Sequence, residues 1–538
     1  MKANKTWKIG MGIYLGMFVF CLLFSFLLPM DPYQQNMTLK NLSPARNYLS
    51  VPKEVEPKEV KKIVSGASFG CALMKSGDVI TWGDDGFMSE PINNVLDIAA
   101  GDHHLVVLYN DHSINLFTNE SVTLSEIENN QMITHVFASG NATAMLYANG
   151  HVQYSDGTVD NERWDQDQGH VLDVAMNDHQ IALVLDDGRV HMFGEDENEI
   201  ATVPETLCPV RDMVLSENDA LALCQDQRVV TWGESGRDVF SVSDKVKMID
   251  ASKEALFVLD ENNRIRAYGK NTFHETEVPN EPFETIYADA YQIYGIHEDI
   301  HAWGHRGFLM GSDAYGRDVF TRLVHGGLVT MSIGWIAVIT EMILAVLFGC
   351  LAGYYGGKVD GLLMRLAELI SGVPFLPLMV TLSAFMKELL PESGRILLVM
   401  IVYGCLNAPV LARMIRSVLL SEKEKEYVIA AKLMGANTWH ILKKELFPAI
   451  LPILLVNLTL SYADSMLLES ALSFIGFGVA QPYPSWGNLL ENAQSAYVLE
   501  HCWWQWVLPA LCIVICVFGV HVIQEGLRKM CDPKEGRS

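Results

Sequence analysis

The 538-residue chain is 50% hydrophobic and carries a formal charge of −25, and neither property is spread evenly. Residues 51–300 hold 45 acidic and 16 basic side chains, so 19 of the 64 acids and 23 of the 39 bases lie elsewhere. An acidic module set in an apolar, slightly basic body excludes a nucleic-acid binder, which needs a basic surface, and the length allows two or more domains.

The first predicted element is an apolar run at about 9–29, preceded by Lys2, Lys5 and Lys8. Roughly 20 apolar residues cross a bilayer core. The run ends in "FLLPMDPY" without a small-residue cleavage pattern, so it reads as an uncleaved anchor and not a signal peptide. The expected organisation is an N-terminal transmembrane helix at 1–30 and an external linker at 31–59.

A phrase then recurs: "CALMKSGDVITWG" (71–83), "LVVLYNDHSINLF" (105–117), "TAMLYANGHVQYS" (143–155), "IALVLDDGRVHMFG" (181–194), "ALALCQDQRVVTWG" (220–233), "ALFVLDENNRIRAYG" (255–269) and "IYGIHEDIHAWG" (293–304). Each unit is an apolar strand, a turn rich in Gly, Asp or Asn, and an alternating strand. The anchors Trp82, Phe117, Ser155, Phe193, Trp232, Tyr268 and Trp303 recur every 35 to 39 residues. Seven such units predict an all-β insert at 60–304, a seven-bladed β-propeller, with an open β-solenoid as the alternative. The anchors are expected to pack blades, and the acids at 186–187 and 194–200 to solvate them. The phrase resembles the repeats of the regulator of chromosome condensation, though these units are shorter. In a closed ring the first and last blades are neighbours, so such a module suits insertion into a loop. Ten cysteines show no metal-type spacing. Cys21, Cys350, Cys405, Cys512 and Cys516 lie in apolar runs; Cys71, Cys208 and Cys224 fall in the insert and read as free thiols, a disulfide among them being the alternative.

Residues 305–538 carry five further apolar runs, at about 328–351, 366–387, 396–419, 449–474 and 504–525. The fold class expected is thus a six-span α-helical membrane protein with an inserted all-β domain. Pro374 and Pro377 should kink or break the third span. Glu341, inside the second span, either belongs to a translocation pathway or hydrogen-bonds a neighbouring helix. Asp464 and Glu469 either line a polar pathway or lock helices together. Basic residues cluster at the N-terminus, at 413–444 and at Arg528, Lys529, Lys534 and Arg537. That pattern puts both termini inside and the insert outside.

The segment 421–447, "SEKEKEYVIAAKLMGANTWHILKKELF", is helix-forming from Ser421, with the small residues Ala430, Ala431, Gly435 and Ala436 grouped centrally and Pro448 just beyond. A short helix between two spans suits docking into a partner's groove. It resembles the "EAA" coupling loop of ABC importer permeases, with Glu426 and Tyr427 ahead of it and Ile429 where the pattern has Glu. "GSDAYGRDVFTRLVHGG" is similar to the stretch before the second span in the dipeptide, oligopeptide and nickel subfamily. It matches at Gly311, Asp313, Gly316, Arg317, Asp318, Val319 and Arg322, with Leu328 in place of a later Arg. "LAGYYGGKVDGLLMR", "ESALSFIGFGVAQPYPSWGNLL" and "EGLRKMCDP" are also similar to the "C" type subunit of that subfamily.

The resemblance implies a permease of the bacterial cell membrane that imports short peptides, with four kinds of neighbour: a second permease subunit, two ATPase subunits, an extracytoplasmic solute-binding protein and membrane lipid. No GxxxxGK[ST] loop occurs. No cofactor is therefore expected in this chain, ATP and magnesium being bound by the partner subunits, and the chain is not expected to be an enzyme. The propeller is expected to bind a partner or the receptor. The competing reading is a membrane sensor or adhesion protein that displays the propeller on a permease scaffold without transporting.

Overall fold

The computed structural model describes residues 3–27, 30–44, 48–83, 88, 91–118, 132–155, 163–164, 169–194, 200–234, 245–386 and 389–531. Lys2, the acids at 195–199, Lys534 and Arg537 lie outside the described residues. The chain divides into two compact units, Met37–Leu309 and the pair Met1–Asn36 with Met310–Ser538.

In the β unit, seven antiparallel sheets follow one another among the described residues, at 60–83, 95–118, 133–164, 171–194, 210–233, 246–269 and 285–304. Each has three strands in up-and-down order, and the third sheet gains a fourth from Arg163–Trp164. The middle strands, such as "ATAMLY", "QIALVL" and "ALFVLD", are buried along their whole length. They are covered on both faces, which is why they read as unbroken apolar runs. A separate apolar cluster fills the space between each successive pair of sheets. One more cluster joins Tyr294 and Ile296 of the last sheet to Val60, Ile63 and Trp82 of the first. Tyr287 Oη also donates to the carbonyl of Lys61 (3.1 Å). The ring is closed, as a propeller requires, and the solenoid alternative is set aside.

The glycine that follows the aromatic anchor has a specific cause. Gly83, Gly194, Gly233, Gly269 and Gly304 all have positive φ, and a Cβ there would strike the backbone carbonyl just before the adjoining middle strand. Of the anchors, Trp82, Trp232 and Trp303 are buried, and their indole N–H groups donate to Tyr294 Oη, Ile200 O and Glu275 O. Phe117 and Phe193 pack half-buried against clusters, whereas Tyr268 stands 40% exposed.

One expectation is corrected here. Cys208 and Cys224 are paired as a disulfide with Cα atoms 5.8 Å apart, and Cys71 is free. The pairing of Val210 with Cys224 across two strands brings Cys208 alongside, a register that spacing does not reveal. From Met37 onward the linker groups with the β unit, and Leu39, Leu42, Tyr48 and Val55 within it are buried.

The other unit is helical: α1 (Ala3–Leu27), α2 (Val319–Tyr355), α3 (Gly357–Ser371), α4 (Phe375–Met386), α5 (Glu392–Glu422), α6 (Glu426–Leu433), α7 (Thr438–His440), α8 (Phe447–Phe474), α9 (Trp486–Glu491), α10 (Ala496–His501) and α11 (Trp503–Cys531). Among the described residues, five helical runs are long and apolar enough to cross a membrane: Thr6–Leu27, Val319–Tyr355, Gly394–Glu422, Thr438–Phe474 and Trp503–Cys531. The expected third span is the pair α3 and α4, bent by 75°. Pro374 lacks an amide donor and disfavours helix in the residue before it, so the break falls at Gly372–Pro374. One core joins α1, α2, α8, α9 and α11 around Tyr462, Met466, Trp486 and Cys516; another joins α2, α5, α6 and α8 around Ala345, Leu411, Ile415 and Ile450. α1 crosses α11 at Gly10, where a Cβ would lie 2.6 Å from backbone atoms of Gly519 and Ile523.

Candidate functional site

The stretch ahead of α2 is a buried ionic clasp. Gly311 and Gly316, both at positive φ, turn the chain so that Asp313 accepts from the amides of Tyr315 (2.9 Å) and Arg317 (3.1 Å). The same carboxylate pairs with the Arg317 guanidinium at 2.7 Å and lies 3.6 Å from Arg322 Nε. All three side chains are buried. Arg317 and Arg322 both donate to Gln481 Oε1 (2.8 and 3.0 Å), and Arg322 also donates to the carbonyls of Pro32 (2.8 Å) and Pro482 (3.0 Å). Asp318 caps α2 by accepting from the amides of Phe320 (3.3 Å) and Thr321 (2.8 Å). The clasp therefore ties residues 311–322 to the far loop and to the chain after α1. Gln481 lay in a stretch that the sequence singled out, yet nothing local marks it, since its partners are some 160 positions away.

The three acids of the spans fall in different surroundings. Glu469 is buried and accepts from Ser473 Oγ (2.7 Å) and Thr330 Oγ1 (3.2 Å), joining α8 to α2. Glu341 is buried and accepts from Ser461 Oγ (3.1 Å). Asp464 is exposed at the wall of a cavity of about 460 Å³, between the α3–α4 break, α5 and α8. Glu341 and Asp464 lie within electrostatic reach of each other, whereas Glu469 is held by its own hydroxyl partners.

The 421–447 segment is held on one side and open on the other. α6 ends at Gly435, which has φ +83°, with the amides of Met434, Gly435 and Ala436 bonded back to Ala430, Lys432 and Ala431. Asn437 then caps α7 by accepting from the His440 amide (2.8 Å), and Pro448 sits in the first turn of α8. Val428, Ala431, Ile441 and Leu446 are buried in the cluster with α2 and α5. Lys423 Nζ donates to Gly353 O (3.1 Å), and Arg416 forms a two-pronged ion pair with Asp360. The other face presents Glu426, Tyr427, Ile429 and Ala430, and beyond them Leu433 (84% exposed), Met434 (81%) and Trp439 (72%). The sequence reading singled out the small residues and missed these three large apolar ones. Their signal was present: bulky apolar side chains in a segment too charged to be a span.

The β unit encloses a cavity of about 350 Å³ along the ring axis, lined by Lys62, Asp173, Asp212, Asp250 and Asp289. Asp97 and Asp250 each bridge their own strand to the amide of the next sheet's inner strand, at Val136 (3.3 Å) and Ala288 (2.9 Å). Asp289 does the same for Ser65 across the closure (3.3 Å). Near one end, Lys253 pairs with Asp102 (2.7 Å) and Asp178 (2.5 Å) from two other sheets. Burial alone would pull its ammonium down, but these two carboxylates hold it above its ordinary value.

Burial, reinforced by Asp212, pushes the Asp173 carboxyl up to about 7, and burial also lifts Asp289 to about 7 against the pull of Lys62. A raised folded value means that the folded ring holds protons that the unfolded chain releases. Its contribution is therefore complete below about pH 4 and lost as pH rises through about 7. In full-length protein, strand amides of the β unit should be several-fold better protected from hydrogen exchange at pH 5.5 than at pH 8.5, after correction for intrinsic rates. Equal protection would contradict the assignment.

Among the described residues, five helices able to span a bilayer, a sharply bent helix pair and a short helix hung between two long ones define a polytopic membrane protein. Residues 345–535 match the family described as the binding-protein-dependent transport system inner membrane component, and residues 60–87 match the regulator of chromosome condensation repeat. The chain is 34% identical over 224 residues to the dipeptide transport system permease protein DppC of Bacillus subtilis, covering 42% of this chain and 68% of that protein. It is 33% identical over 231 residues to the di/tripeptide transport system permease protein DppC of Pseudomonas aeruginosa, covering 43% and 74%. Among solved structures, the CRINKLY WD40 ectodomain of the Arabidopsis thaliana receptor kinase ACR4 overlaps at TM-score 0.40 and 13% identity, covering 46% of this chain and 97% of that one. The chain belongs to the binding-protein-dependent transport family of inner membrane components and is a peptide-importer type of ABC permease carrying an inserted β domain.

Proposed function

We propose that this chain forms half of the translocation pathway of an ATP-driven importer of short peptides, beside a second permease and above two ATPase subunits. The observation that carries this reading is the exposed apolar face of α6 and its flanks, whose opposite face is packed against α2 and α5. An ATPase gripping Leu433, Met434 and Trp439 would move α6. Val428, Ala431 and Ile441 would pass that movement to the spans because they cannot slide in a packed core.

Both termini lie in the cytosol in this reading, and the propeller lies outside. The basic residues flanking the spans support that orientation. So does the Cys208–Cys224 disulfide, which persists in oxidising compartments. The propeller binds the external solute receptor or another partner at the cell surface. Proteoliposomes holding this chain, its partner permease, both ATPases and the receptor should accumulate Ala-Ala-Ala only with ATP. Deletion of 61–304 should weaken receptor binding. Assembly of the complex without uptake of any short peptide would favour the sensor reading instead.

A further inference from the structure

The cavity beside α5 combines features that the importer reading leaves unused. Its wall is apolar at Ile370, Val373, Leu406, Val410 and Leu468, and it carries one carboxylate, Asp464. A charge at membrane depth is costly, and such residues face a partner, a cavity or a pathway. Glu341 and Glu469 have hydroxyl donors from neighbouring residues, whereas Asp464 has no hydrogen bond or ion pair among the described residues. His521 of α11 and Glu341 of α2 lie within electrostatic reach of it without bonding to it. The rings of Phe375 and Tyr403 stand on the same wall, edge to face at 5.3 Å. Asn407 spends its amide N–H on the Tyr403 carbonyl (3.2 Å), leaving its Oδ1 without a partner among the described residues. The break at Gly372–Pro374 also borders this space, and irregular backbone at membrane depth is tolerated where it lines a cavity or is buried in protein.

We propose that Asp464, with the aromatic faces of Tyr403 and Phe375 and the Asn407 carbonyl, forms a subsite for the primary ammonium group of a short peptide crossing the permease. A carboxylate supplies the counter-charge, the ring faces attract a cation through their quadrupoles, and the Asn407 oxygen accepts one ammonium hydrogen. A volume of about 460 Å³ falls in the small-ligand range of about 300–1,000 Å³. The inference rests on the importer reading and adds a substrate determinant to it.

The test uses the assembled transporter and three peptides, each at the concentration that gives the same wild-type rate: Ala-Ala-Ala, N-acetyl-Ala-Ala-Ala and N-acetyl-Ala-Lys-Ala. The ratio of variant to wild-type uptake cancels the preferences of the receptor. Asp464→Asn should lower uptake of Ala-Ala-Ala about tenfold and that of N-acetyl-Ala-Ala-Ala, whose amino end carries no charge, less than twofold, and Asp464→Glu should restore most of the loss. If N-acetyl-Ala-Lys-Ala falls with Ala-Ala-Ala, the subsite takes any primary ammonium; if it is spared, the subsite reads the peptide amino terminus. An equal effect of Asp464→Asn on all three peptides, or no effect, overturns the subsite. Asp464→Trp, which fills the cavity, separates the two readings. Blocked uptake of every peptide with a flat Asp464→Asn profile sinks the subsite alone, whereas undiminished uptake by the tryptophan variant sinks the cavity as a pathway as well.

Discussion

Asp313→Leu should leave the chain folded but much less stable, with a markedly lower unfolding temperature. The carboxylate is the shared counter-ion of Arg317 and Arg322, all three buried. Removing it leaves two guanidiniums out of water with Gln481 Oε1 and backbone carbonyls as their remaining partners. Breaking one side of a buried ion pair costs about 3–5 kcal/mol, comparable to a large fraction of a domain's whole stability of about 5–15 kcal/mol. Replacing the arginines as well should recover part of the loss, because an apolar trio of similar volume needs no counter-ion. The measurement is thermal unfolding of detergent-purified Asp313→Leu beside Asp313→Leu/Arg317→Met/Arg322→Met. A single variant as stable as wild type, or a triple variant less stable than the single, would contradict this account of the clasp.

Gly435→Arg should abolish ATP-dependent uptake, by about 100-fold or more, while the protein still folds and inserts. At φ +83° any residue with a Cβ is strained by on the order of 1–3 kcal/mol. No heavy atom lies within 4 Å of where that Cβ would stand, so packing does not object. The damage falls on the turn that sets α6 against α7, and on the surface beside Leu433 and Met434, which gains a long charged side chain. Gly435→Ala should show the backbone strain without the obstruction and lose much less. Uptake assays with matched amounts of assembled complex separate the two effects; equal loss in both variants would point to the turn alone.

Much of this architecture is legible in the sequence because it follows from local rules. Each of five apolar runs gives a helix, and Pro374 gives the break in the sixth. The repeat spacing gives seven sheets, and the glycine after five of the anchors is explained by a carbonyl that leaves no room for a Cβ. What escaped depends on distant partners. Gln481 matters through two arginines far away in the chain, and Cys208 meets Cys224 through a strand register. The acids of the spans look alike in sequence, yet Glu469 and Glu341 find hydroxyl groups while Asp464 finds open space, a difference set by helix rotation about neighbours. Tyr268 holds the position of a packed anchor but is exposed, since the strand "IRAYG" keeps little of its surface covered.

The central claim is that α6 and its flanks receive the working stroke of a nucleotide-hydrolysing neighbour. A photo-crosslinking residue placed at Leu433 in intact cells tests it most directly. The account predicts an adduct with an ATPase subunit, formed from the cytosolic side and changing in yield between nucleotide-free and ATP-bound complexes. An adduct with an external protein, or none with any ATPase in a complex that still imports peptide, would contradict it.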